Sequence, residues 1–85
     1  EDARKDAEEA LEIMRLAFGR EDLKTAATLS ALASVNSRAG HLAEAERCYR
    51  EVLLIQQKKA GLLHPDTLRT GASLGAILIE MRKYG

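Results

Sequence analysis

The chain reads as all-α, built from antiparallel helix–turn–helix repeats, and three observations support this. The first is the stretch 40–55, GHLAEAERCYREVLLI, where Leu42, Ala45, Cys48, Tyr49, Val52, Leu53 and Ile55 recur at helical spacing. The second is a self-match at a shift of forty-two residues. Ala3 falls on Ala45, Glu9 on Glu51, Leu11 on Leu53, Ile13 on Ile55 and Gly19 on Gly61, then Thr25 on Thr67, Thr28 on Thr70 and Leu32 on Leu74. Apolar positions and the closing glycine are where stacked units must agree, because each unit buries its face on the next. The third is the lack of a strand pattern: the apolar run 75–79 is short and lies within helical spacing.

Taken in order, residues 2–18 form the first helix. Ala3, Ala7, Ala10, Leu11, Met14 and Phe18 are its expected buried stripe, and Gly19 stops it. Asp2 and Asp6 suit the positive end of its dipole. Asp22 is the expected N-cap of the second helix, 22–39, which is rich in alanine and serine and anchored by Leu29, Leu32 and Val35. Gly40 ends it, and the third helix, 42–60, follows at once, so the two must lie antiparallel. The apolar arc of the third helix is wider than one neighbour requires, so two helices should cover it. Glu46 and Arg50 stand one turn apart in the favourable order. Leu62 and Leu63 are expected to tuck under the helix pair. His64 takes the place of Asp22 as a capping or turn residue, Pro65 suits a first helical turn, and the fourth helix runs over 65–83.

Eighty-five residues make one small domain, marginal unless neighbouring units or another chain add to its core. Formal net charge is zero and both signs are interspersed, which gives no reason to expect nucleic acid or an anionic membrane as partner. No apolar run approaches the length of a membrane span. A lone cysteine, Cys48, excludes an intrachain disulfide and favours a reducing, cytoplasmic setting.

Helix pairs of this kind resemble tetratricopeptide repeats. Counted from the turn glycine Gly40, the large residue of the family's first helix falls on Leu29, and its leucine-plus-small pair falls on Leu32 and Ala33. The second helix contributes Ala45, the aromatic Tyr49, and Val52 in place of the family's second alanine. Asn36 stands where the family has an aromatic. The forty-two-residue period and the HPDT turn, residues 64–67, resemble the kinesin-light-chain type, although Ser30–Ala31 and Ala72–Ser73 replace the paired asparagines common there. The resemblance implies a right-handed superhelical stack and a single domain, 1–85, that is part of a longer array. Residues 1–19 are then the second helix of a repeat, 22–61 a complete repeat, and 65–84 the first helix of the next.

The resemblance also implies a concave groove lined by the first helices. On the second helix its positions are Ala27, Ser30, Ser34, Ser37 and Arg38; on the fourth they are Arg69, Ala72, Ala76, Ile79 and Glu80. Small residues and hydroxyls there leave room and hydrogen-bonding groups for a peptide. The same face also fits an ordinary solvated surface. No nucleophile motif, phosphate loop or metal spacing is present, so neither an enzyme nor a cofactor is expected. His41 and Cys48 are two turns apart, roughly 10 Å along a helix, too far to share one ion. Two function classes follow: a module that binds a protein or peptide in the groove, or a structural scaffold that drives oligomerisation within a larger protein. Leu74, Ile77, Leu78 and Met81 make the fourth helix apolar nearly all round. It is therefore expected to self-associate as a homodimer, whether as a biological assembly or because the next helix of the array is missing, or to be capped by another chain.

Overall fold

Three glycines close the first three helices. Gly19, Gly40 and Gly61 take φ of 91°, 84° and 103°, a left-handed conformation that side-chain-bearing residues rarely adopt. The computed structural model describes residues 2–84. Its elements are α1 (Asp2–Phe18), α2 (Leu23–Arg38), α3 (Leu42–Lys59) and α4 (Pro65–Tyr84), with no strand among the described residues. Each helix packs chiefly on the next in sequence: α1 on α2, α2 on α3, α3 on α4. The Cα atoms span 37 × 33 × 15 Å. The short dimension matches two helix layers, given a Cα radius of about 2.3 Å and axes about 8–10 Å apart.

The core has two joined parts. Leu11, Ala26, Leu29, Leu32, Val52 and Ile55 bind α1, α2 and α3 together. Ala33, Ala45, Tyr49, Leu74 and Ile77 bind α2, α3 and α4. Cys48 packs against both. Three residues, Ala33, Ala45 and Val52, have no exposed surface. Two alanines there let α2 and α3 approach closely. Polar contacts add register: Arg15 of α1 reaches Glu51 of α3 at 3.3 Å, and Lys58 reaches Glu21 at 3.2 Å. Exposed pairs of this sort contribute about 0–1 kcal/mol each. Glu46 and Arg50 pair at 2.8 Å.

Several expected contacts are absent. Of the α1 stripe only Leu11 is buried; Ala7 and Met14 are half-buried, and Ala3, Ala10 and Phe18 are exposed. Helix α1 packs chiefly on α2 and touches α3 only at its edge, through Leu11 and Arg15. Phe18 instead lies under the Lys24 ammonium, 4.7 Å from the ring centre. Leu62 and Leu63 do not tuck under the helix pair and are 64% and 84% exposed. The turn is too short to fold them back once Gly61 has reversed the chain. Val35 and Leu53 are half-buried rather than buried.

The repeat extends to the helix starts. The Asp22 side chain caps α2 by accepting from the Lys24 N–H at 2.7 Å. Forty-two residues later, His64 Nδ1 accepts from the Asp66 N–H at 3.0 Å. The exchange of carboxylate for imidazole fits the surroundings: Asp22 has Lys24 two residues on, whereas His64 has Asp66. Next comes a buried threonine in each copy. Thr25 Oγ1 donates to Gly19 O at 2.6 Å and Met14 O at 3.3 Å, tying α2 to the end of α1. Thr67 Oγ1 has no partner among the described residues. Both corresponding acceptors are already engaged: Gln56 O takes the Ala60 and Gly61 N–H groups, and Gly61 O takes the His64 N–H.

Two expectations follow. Thr25→Val should lower stability by about 1 kcal/mol, whereas Thr67→Val should raise it by a similar amount, because it removes an unpaired buried hydroxyl. Thermal melts of the two variants check this, and equal shifts would contradict the difference in bonding. His64→Ala should cost about 1 kcal/mol by uncapping α4, and His64→Asn should restore most of the loss. Denaturant titration of both variants reads the effect.

Candidate functional site

Helices α2 and α4 are offset by one repeat and flank α3, so a furrow runs between them with α3 as its floor. Towards the helix starts the furrow opens into a cleft of about 240 Å³. Ala27 and Ser30 of α2 form one wall; Asp66, Arg69, Thr70 and Ser73 of α4 form the other; Tyr49 and Gln56 of α3 lie beneath. Small side chains keep the walls apart, and hydroxyls offer both donors and acceptors. The Gln56 carboxamide oxygen is buried without a partner among the described residues. Arg69 is bound to Asp66 at 3.0 Å, so its guanidinium is partly spent on its own helix.

At the opposite end of α2 and α4 lies a wider hollow of about 780 Å³. Ser37, Arg38, the α2–α3 turn, Glu44, Glu80, Met81 and Tyr84 line it. Its charges are mixed. Arg47 bonds Glu44 and holds that carboxyl below the usual carboxylate range, first through the hydrogen bond and then through its charge. Arg38 makes no ion pair among the described residues and is exposed.

Of the residues expected in the groove, Ala27, Ser30 and Arg69 thus share the cleft, and Ser37, Arg38 and Glu80 share the hollow. Ser34, Ala72, Ala76 and Ile79 line neither, although Ala72, Ala76 and Ile79 are exposed. Sequence reasoning missed Tyr49 and Gln56 as the floor, and Asp66, Thr70 and Ser73 as wall residues. Tyr49 and Gln56 belong to the helix behind the groove, and a residue that packs its own helix pair carries no separate signal of also facing a furrow. Thr70 and Ser73 repeat the small, hydroxylated character of α2 and could have been found by that likeness.

The set expected to self-associate needs correction. Leu74 and Ile77 are 7% and 5% exposed, packed against α3 and not available to a second chain. Leu78 and Met81 are half-buried at the edge of the same cluster. A charge at Ile77 would therefore break the core before it touched any assembly.

Among the described residues no three ligand-type side chains converge on a point where a metal could sit. The Cys48 thiol is half-buried, and burial first, then Glu51, pushes its pKa up, which disfavours the reactive thiolate. No helix of the described residues is long and apolar enough to cross a membrane.

No curated protein matches the chain. A family model described as tetratricopeptide repeat matches residues 1–58. That span covers α1, α2 and nearly all of α3, the helices whose apolar positions and turn glycines repeat at forty-two residues. The chain belongs to the tetratricopeptide-repeat family.

Proposed function

We propose that this chain is a protein-interaction module that holds an extended segment of a partner protein in the furrow between α2 and α4. Tetratricopeptide repeats in general mediate contacts between proteins, and the cleft walled by Ala27, Ser30, Arg69 and Ser73 is the observation that carries the reading here. Small walls admit a backbone, hydroxyls can pair its amide groups, and Tyr49 supplies an aromatic edge with a phenol beneath. The mixed charges of Asp66, Arg69, Arg38 and Glu80 favour a partner carrying both signs over a polyanion, and a neutral chain gives nucleic acid no electrostatic hold. The forty-two-residue period and the 64–67 turn support a kinesin-light-chain type of repeat, and the lone half-buried thiol supports a cytoplasmic setting. A scaffold role is the second reading, favoured by the exposed apolar residues of α1 and α4.

Selection of peptides from a random library on the immobilised chain tests the groove. Selected peptides should lose at least about tenfold in affinity, roughly 1.4 kcal/mol, against Ala27→Trp or Ser73→Trp, which fill the cleft. Arg38→Ala with Arg69→Ala should weaken binding less and leave the melting temperature unchanged, since both side chains are exposed. Full affinity for the tryptophan variants would place the binding site elsewhere.

A further inference from the structure

The internal repeat states what covers each face of each helix, because α2 and α3 have neighbours that α4 and α1 lack. Helix α2 buries two stripes. Thr25 and Leu32, with half-buried Thr28 and Val35, form one; their counterparts in α4 are Thr67, Leu74, Thr70 and Ile77, all buried although α4 packs chiefly on α3. The other α2 stripe is Ala26, Leu29, Ala33 and Asn36, at most 3% exposed. Its counterparts in α4 are Leu68, Gly71, Gly75 and Leu78, and none is buried. A Cβ added at Gly71 or Gly75 would meet nothing within 4 Å. This second stripe is the one that α3 covers on α2.

The covering surface is repeated as well. On α3, Ala45, Val52 and Ile55 are buried and Cys48 is half-buried. The counterparts in α1 are Ala3, Ala10, Ile13 and Asp6, all exposed, with Ile13 at 64%. The chain therefore displays both halves of one helix–helix contact at opposite ends of its stack. The halves are also complementary in charge. Helix α1 carries five acidic and three basic side chains, whereas α4 carries three basic and two acidic ones. In the antiparallel arrangement of α2 and α3, the last turn of α4, with Arg82 and Lys83, would meet the first turn of α1, with Asp2. Asp6 takes the place of Cys48, a half-buried position, so its carboxylate keeps a path to water.

We propose that the Leu68–Gly71–Gly75–Leu78 face of α4 receives α1 of a second copy of this chain, so that copies stack head to tail in the register of the internal repeat. Such a contact is heterologous and does not close on itself, so it extends rather than stopping at a dimer. Two glycines at its centre let the incoming helix approach closely, as Ala33 and Ala45 do within the chain.

Sedimentation velocity of the chain over a wide concentration range tests this. The mean mass should rise past that of a dimer as concentration increases and fall with added salt. Gly75→Lys should abolish the rise while raising the melting temperature, because lysine is the better helix former and its side chain enters open space. Ile13→Glu, at an exposed position, should abolish it independently. A mixture of the two variants should form a species that stops at a heterodimer, since one retains α4 and the other α1. A chain that stays monomeric at every concentration overturns the proposal. So does a dimer that survives Ile13→Glu, which would mean that two α4 helices pair, and so does a mixture that forms no heterodimer.

Discussion

The core is organised around the packing of α2 on α3, where Ala33 and Ala45 lie in one buried cluster with no exposed surface. Small side chains at these positions leave room for close helix packing, and on α3 Val52 and Tyr49 lie in different parts of the core. Val52 joins the α1 side of the core and Tyr49 the α4 side, so α3 is clamped from two directions. A larger residue at either alanine would push the helices apart and unpack both halves at once, since a filled core has no slack. The spacing of the furrow between α2 and α4 follows from the same packing, because α3 is its floor.

The periodicity at forty-two residues made the helices, their order and their turns legible in the sequence, with ends displaced by about one residue where fraying makes assignments differ anyway. Burial was legible only where a neighbour exists. Leu11 and Ile13 look alike as sequence, two apolar residues on one helix, yet one is buried and the other bare because α2 covers only one side of α1. Leu62 and Leu63 read as buried by composition and are exposed by turn geometry. Asn36 reads as a departure from an aromatic position, yet it is 3% exposed, with its side-chain oxygen unpaired among the described residues. Its shorter side chain leaves a buried carboxamide where a ring would fill space, a cost that the family's usual residue avoids.

The candidate groove was legible to the same degree and for the same reason. Ala27, Ser30 and Arg69 were found because small and charged residues on one face of a helix stand out. Tyr49 and Gln56 were not, because each does two jobs. Tyr49 belongs to the core between α3 and α4 and is also floor to the cleft, so one side chain serves both surfaces. Substitutions at the floor would mix the two effects. Part of the walls is separable from the core: Ala27, Asp66 and Arg69 are exposed, whereas Thr70 is both wall and buried packing.

Shallow walls also set how such a site can be selective. A cleft of about 240 Å³ buries only a few side-chain atoms, so one unit can contribute little affinity on its own. Affinity must come from length, through successive units each holding a short part of one extended segment, with each added contact made at high effective concentration. In a head-to-tail stack the open face of α4 would be covered by α1 of the next copy, and that copy's α2 would then stand beside α4 as α4 stands beside α2. A new furrow of the same kind would form at each junction, with Ala7 and Met14 beneath it in the places of Tyr49 and Gln56. The junction floor would lack the phenol and the carboxamide that Tyr49 and Gln56 bring to the internal cleft. A partner spanning several copies would thus meet alternating floors, polar within a chain and apolar between chains, and its own side chains would have to alternate in step.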